Sequence, residues 1–262
     1  MKPSHSSPRL LTALSVFVYI FMWAPAIVLI VFSFSSNKFG VKWEHFTLKW
    51  YYGIINNVGV RNALLKSVFI ALVTVVIATI GGTVTAYGLY KFKFRLKGTL
   101  RTAILLPILI PYIVTAGSLL VYYTRVIHIP LGYITVIIAH VTFSLPLSVF
   151  VVLGRMQRIN WTLEEASMDL GANKITTWKR ITIPLLMPAI IASAALIFPW
   201  SFNDFTVTYF TSGVGLTTLP VYVFSQIRYG RTPVINTIGT VFLMLPIIII
   251  LVMSILRKKE MF

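Results

Sequence analysis

The sequence predicts an all-α membrane protein with six transmembrane helices. Of its 262 residues 57% are hydrophobic and only 11% charged, and the apolar residues gather into six long runs. Soluble domains carry about 25% charged residues. Crossing a hydrocarbon core about 30 Å thick takes roughly 20 apolar residues of helix. The runs lie near 10–33, 62–90, 102–124, 131–153, 186–210 and 235–256. They occupy most of the chain, so residues 1–262 are expected to form one transmembrane domain with no sizeable soluble catalytic part.

The first run, Leu10 to Phe34, follows a short, weakly basic start and is too long for the core of a cleaved signal peptide. It is expected to remain as the first span. Segment 35–61 is aromatic, with Phe39, Trp43, Phe46, Trp50, Tyr51 and Tyr52. Such residues favour the headgroup level. Gly81-Gly82 interrupts the second run, Pro107 and Pro111 the third, Pro146 the fourth and Pro199 the fifth. Proline removes a helical hydrogen bond and crowds the preceding turn. Membrane helices tolerate this where neighbours or water satisfy the freed carbonyl, so the breaks suit helices that line a pathway and rearrange.

Between the fourth and fifth runs lies a polar loop, 154–185. Trp161-Thr162-Leu163-Glu164 opens a helical pattern, and Thr162 followed by Glu165 fits a capping box. Ala166, Ser167 and Leu170 can share one compact face. Gly171 permits the left-handed conformation that ends a helix. A second helical stretch runs from Asn173 to about Ile181, exposing Lys174, Lys179 and Arg180, before Pro184 and Pro188 bracket the start of the fifth span. The expected shape is helix, glycine turn, helix.

Net charge is +17. With six spans both termini share a side with loops 91–101 and 154–185, and that side holds fifteen of the Lys and Arg residues against eight on the other. The positive-inside rule places that side in the cytoplasm. The basic residues flank the spans, which points to topology and anionic lipid headgroups rather than to nucleic acid. Having no cysteine, the chain has no disulfide, thiol catalysis or Cys-based metal site. Its four His are scattered without metal-ligand spacing. No GxxxxGK[ST] occurs, so a P-loop of its own is excluded. No nucleophile, His and acid constellation marks an enzyme, and no catalytic residue is assigned.

The spacing Glu165-Ala166-Ser167, Gly171, then Ile181-Thr182-Ile183-Pro184 closely resembles the "EAA" loop of the membrane subunits of bacterial ABC importers. Ser167 stands for the second Ala of the usual pattern and Ile183 for the usual Leu, both preserving size or apolarity. Within that family the chain is most similar to the spermidine/putrescine permeases, specifically the second membrane subunit. That similarity rests on 32–40 (FSFSSNKFG), 47–51 (TLKWY), 140–146 (HVTFSLP), the EAA loop and the Asn203-Asp204 pair, where the relatives have Asp-Asp.

The resemblance implies a type I ABC importer permease fold in a bacterial inner membrane. It implies a coupling helix at Glu165, Ala166, Ser167, Gly171, Ile181 and Pro184 that docks into a separate ATPase. The partners it implies are an ABC ATPase dimer, which binds the ATP and Mg, a second permease subunit as heterodimer partner, and an extracytoplasmic substrate-binding protein. The aromatic segment 35–61 is then either an interfacial anchor or a docking surface for that binding protein. No cofactor is expected in this chain.

Asp204 is the only one of six acids inside an apolar run; Glu44, Glu164, Glu165, Asp169 and Glu260 fall in loops or the tail. An acid within the bilayer is a functional-site hypothesis by default. Its neighbours Trp200, Phe202, Asn203, Phe205 and Tyr209 supply rings for cation–π attraction. The candidate substrate pathway is therefore Asp204, Asn203, Trp200, Phe205 and Tyr209, the alternative for Asp204 being a structural partner of an Arg or a backbone amide. His140 reads as a hydrogen-bonding residue between helices, with a proton relay as the alternative. Other solutes of related permeases (phosphonate, ferric ion, sulfate) stay open, as does a stand-alone secondary transporter or channel, against which the loop and the lack of evident inverted repeats argue.

Overall fold

In the computed structural model, which describes residues 8–37, 42–230 and 233–244, the chain is mostly helical. Among the described residues there is no strand, only an isolated bridge between Ser35 and Phe46. The helices are α1 (Pro8–Ser33), α2 (Lys49–Ile55), α3 (Val58–Lys91), α4 (Lys97–Leu109), α5 (Tyr112–Val121), α6 (Tyr133–Met156), α7 (Thr162–Asp169), α8 (Lys174–Thr177), α9 (Ile183–Phe202), α10 (Thr206–Thr211) and α11 (Leu219–Arg228). A short apolar helix, α12, covers Pro233–Met244.

Among the described residues four helical stretches are long and apolar enough to cross a membrane: Leu10–Ser33, Val58–Lys91, Tyr133–Met156 and Lys174–Phe202. A fifth arises if Lys97–Leu109 and Tyr112–Val126, bent by 101° at a break, count as one span. The sixth predicted run, 235–256, is described only as far as Met244. Phe39 and the basic residues Lys2, Lys38, Arg231 and Arg257, Lys258 and Lys259 also lie outside the described residues.

Three expectations about helix continuity are corrected. The predicted third span, 102–124, is two helices, because backbone at Ile110 and Pro111 turns extended (ψ 136° and 128°). Prolines four apart remove two donors from one ladder, those facing the carbonyls of Ala103 and Pro107. The predicted fifth span, 186–210, ends at Phe202 and restarts as α10. The cause is Asp204, whose carboxylate takes the N–H groups of Val207 (3.4 Å) and Thr208 (2.7 Å) and so starts a new helix. The other expected breakers do not break: α3 runs through Gly81-Gly82, α6 through Pro146 and α9 through Pro199.

The chain forms two compact units, Met1–Arg61 with Tyr222–Phe262, and Asn62–Val221. In the first, α1 is apolar on every side, and its large side chains stay exposed (Phe21 70%). The aromatic segment is tied to its end. Tyr51 Oη lies 2.7 Å from Ser33 Oγ, Trp50 Nε1 donates to Ser35 O at 2.8 Å, and Phe34 stacks on Phe46 and Tyr51. Trp43, Phe46 and Tyr52 remain exposed.

In the second unit α6 packs chiefly on α9, and α10 on α5. One core cluster joins Ala86 and Leu89 to Val149, Val152, Met156, Leu186 and Ala189. Gly82 marks a close crossing of α3 and α6: a Cβ there would stand 2.4 Å from Ser148 Cβ. Small residues at membrane helix contacts let backbones approach this way. A second cluster, Ala116, Ala139, Phe143 and Val207, backs the cavity described below.

Candidate functional site

The 154–185 loop forms the expected helix, turn, helix, but its start differs from the capping box. Thr162 lies inside α7, whose N-cap Trp161 makes no side-chain cap bond; just before it Asn160 Oδ1 accepts from Thr162 N–H (3.2 Å) and Thr162 Oγ1 (2.8 Å). Gly171 has φ +88°, and it ends α7 as expected. Its N–H donates to Met168 O (2.9 Å) and that of Ala172 to Ser167 O (3.1 Å), the paired bonds of a Schellman turn. Asn173 then caps α8 by accepting from Thr176 N–H at 2.8 Å. The second stretch does not stop before the span. It passes through a π-helical turn, Trp178–Thr182, straight into α9. A wider turn relieves the clash that the Pro184 ring would make with the carbonyl four residues earlier.

Of the predicted coupling residues, Glu165, Ala166 and Pro184 are exposed, while Ser167 and Ile181 are half-buried. Ser167 Oγ lies 3.0 Å from Thr177 Oγ1, joining α7 to α8. The shared face expected of Ala166, Ser167 and Leu170 is not a packed one. Leu170, just before the glycine turn, is 89% exposed, and Leu163, Met168 and Ile175 of the same loop are exposed as well.

The residue that anchors the loop is Glu164, which sequence reasoning passed over as one of several loop acids. It is buried, with Oε2 2.6 Å from Lys91 Nζ and Oε1 accepting from Thr182 Oγ1 at 2.5 Å. Lys91 Nζ also sits 3.9 Å from the centroid of the Trp161 ring. The Trp161 indole donates to Tyr90 Oη and Met156 O, both at 3.0 Å. One carboxylate thus links the end of α3, the first turn of α7 and the turn that leads into α9. The available signal was the Thr162-to-Thr182 span of polar residues around an otherwise unpaired acid, but no spacing rule names Lys91 as its partner.

The second site is a cavity of about 970 Å³ within the second unit. It is lined by residues 107–112, Phe143, Leu196, Pro199, Trp200 and 203–206. Four of the five predicted pathway residues, Trp200, Asn203, Asp204 and Phe205, meet there. Tyr209 does not line it; its ring packs on Phe205 at 5.3 Å. Sequence reasoning missed Tyr112, whose ring stands between Phe143 (4.8 Å) and Trp200 (6.5 Å), though it expected the break at Pro107 and Pro111 that precedes it. The Pro107-to-Pro111 spacing was the signal.

Asp204 is buried at the back of this cavity. Besides the two backbone amides, its Oδ2 accepts from Thr208 Oγ1 (2.9 Å) and faces His140 Nε2 (3.2 Å). His140 Nδ1 lies 2.7 Å from Ser201 Oγ and Nε2 3.0 Å from Thr208 Oγ1, so this His does hydrogen-bond across helices. The network joins α6, the end of α9 and α10. The carboxylate's acceptor sites are largely taken, which leaves it fixed in place. Among the described residues no group of three His, Cys, Asp or Glu could hold a metal ion.

The family described as binding-protein-dependent transport system inner membrane component matches residues 78–258. A spermidine/putrescine transport system permease protein, PotC, of Haemophilus influenzae is 33% identical over 243 residues, 93% of this chain and 94% of its own. PotC of Escherichia coli K12 is 34% identical over the same length. The putrescine transport system permease protein PotI of Escherichia coli K12 is 34% identical over 231 residues, 86% of this chain and 82% of its own. Among solved structures, a bacterial ABC transporter involved in the import of the acidic polysaccharide alginate aligns with TM-score 0.68. That likeness, at 18% identity over 97% of this chain and 98% of that one, is a likeness of fold.

Proposed function

We propose that this chain, which belongs to the family of binding-protein-dependent transport system inner membrane components, is a permease subunit of an ATP-driven importer of polyamines, spermidine and putrescine. The observation that carries the reading is the similarity to polyamine permeases along nearly the whole chain, including both sites described above. The chain forms a single permease domain of six spans in a bacterial inner membrane, with both termini in the cytoplasm. A second, related permease completes the pathway. An extracytoplasmic binding protein delivers the polyamine, with 35–61 as a surface within its reach. ATP and Mg bind to a separate ATPase dimer, and this chain hydrolyses nothing.

The loop from α7 to α8 docks into the ATPase. Its exposed Leu163, Met168, Leu170 and Ile175 supply apolar contact, and Glu165 supplies charge. When the ATPase dimer closes, the loop moves as a unit. Glu164 carries that movement to α3 through Lys91 and to α9 through Thr182. The cavity at Trp200, Asn203, Asp204 and Phe205 is this subunit's share of the pathway.

The test is labelled spermidine and putrescine uptake by the co-expressed system, with and without an ATPase partner whose phosphate-binding lysine is replaced. ATPase-dependent uptake supports the proposal. An assembled complex that imports neither amine moves the substrate elsewhere, and uptake that survives the dead ATPase overturns the class.

A further inference from the structure

The wall of the cavity has a chemistry that deepens this reading and rests on it. In an α-helix the N–H four residues on takes each carbonyl. Pro111 has no N–H to offer Pro107. Extended backbone at Ile110 and Pro111 carries the N–H groups of Tyr112 and Ile113 away from Ile108 and Leu109. Those of Val114 and Thr115 both go to Pro111 O instead, at 2.9 and 3.2 Å. The carbonyls of residues 107–110 therefore accept none of the hydrogen bonds of the described residues. Unsatisfied backbone at membrane depth is tolerated where it is buried in protein or lines a cavity. Here residues 107–111 all line the cavity in succession.

The rest of the lining agrees in sign. It holds no Lys, Arg or His. Asn203, which lines the cavity, is exposed and adds an amide oxygen. The indole of Trp200 is 56% exposed, and Tyr112 and Phe143 flank it. Backbone acceptors with no cationic side chain among them, beside a ring face and apolar walls, suit a protonated amine on a methylene chain. Asp204 is fixed by Val207, Thr208 and His140.

We propose that the broken turn Pro107–Pro111 is an ammonium subsite. The carbonyl oxygens of residues 107–110 and Asn203 Oδ1 accept N–H bonds from a cationic amine whose alkyl chain lies on Trp200 and Tyr112. Asp204 contributes charge from a fixed position and does not move to form the ion pair. Neutral acceptors suit a transit site, which has to bind strongly enough to fill and weakly enough to empty.

The chain's lack of cysteine makes the test direct. In the assembled, reconstituted transporter with its binding protein, Leu109→Cys is labelled by a thiol reagent during ATP-driven spermidine import. Spermidine is expected to slow labelling about tenfold, Trp200→Leu to abolish that protection, and Trp200→Phe to restore most of it. Pro111→Ala supplies the N–H with which a rewound helix would cap the Pro107 carbonyl, and is expected to lower import about tenfold with assembly intact. A transporter that imports spermidine without protecting Leu109→Cys, or whose Trp200→Leu form is protected like its parent, overturns the subsite alone. A wild-type complex that imports no polyamine overturns the functional reading and the subsite with it.

Discussion

Lys91, the last residue of α3, and Glu164, in the first turn of α7, form a 2.6 Å ion pair across 73 positions of sequence. The ammonium also faces the Trp161 ring, and the carboxylate also receives Thr182 Oγ1. The pair sits where the end of α3 meets the 154–185 loop, and under the proposed function it is a mechanical joint as well as a stabilising contact.

Removing one partner of a largely buried pair leaves the other uncompensated. Glu164→Ala should lower the stability of the assembled complex by about 2–4 kcal/mol, short of the full value for a deeply buried pair because Lys91 is a quarter exposed. Glu164→Gln should keep assembly better but reduce uptake more than ATPase activity. Thermal unfolding with paired uptake and ATPase assays checks this; equal losses in both activities count against a joint.

Gly171 holds φ +88°, a conformation that strains any L side chain. Gly171→Val should cost about 1–3 kcal/mol locally and uncouple ATP hydrolysis from uptake, while Gly171→Asn should retain more transport. Normal ATPase-driven uptake in the Val variant would rule out the turn's role in coupling.

Asp204 caps α10 and binds His140, so its replacement should be felt first as stability. Asp204→Ala should destabilise the complex by about 2–4 kcal/mol, since several hydrogen bonds to a charged acceptor are lost together. His140→Phe should show a smaller loss in the same direction. The ratio of spermidine to putrescine uptake by surviving protein should change little. A stable Asp204→Ala complex with an altered ratio would make the carboxylate a direct ligand.

Gly82 faces Ser148 so closely that any Cβ there collides with another Cβ. Gly82→Ala should cost about 1–3 kcal/mol by overpacking. Ser148→Gly in the same chain should recover part of it, because it removes the atom struck. Unfolding midpoints of the two single variants and the double variant give the coupling directly; strict additivity would place the relief elsewhere.

What the residues determined by themselves was local. Apolar runs long enough for a bilayer, the polar loop between the fourth and fifth, and Gly171 as its turn follow from composition and from the φ that glycine alone enjoys. The grouping of Trp200, Asn203, Asp204 and Phe205 was legible for the same reason, since they are neighbours in sequence. Tertiary structure decided which irregularities matter. Gly81-Gly82 read as a break and is a contact, because Ser148 comes up against it. Pro146 sits in an unbroken helix, and so do Pro184 and Pro188, four apart, whereas the helix holding Pro107 ends where Ile110, the residue before Pro111, turns extended. Asp204 read as a pathway charge or as the partner of an Arg or a backbone amide; it accepts the amides of Val207 and Thr208 close by, and packing adds His140 from 64 positions away. The partners of Glu164, Lys91 and Thr182, are named by no spacing rule and came only with packing. Helices and turns are set by residues within a few positions of one another. The partners of a buried charge and the consequences of a missing hydrogen bond are set by whatever packing brings near, which no local pattern encodes.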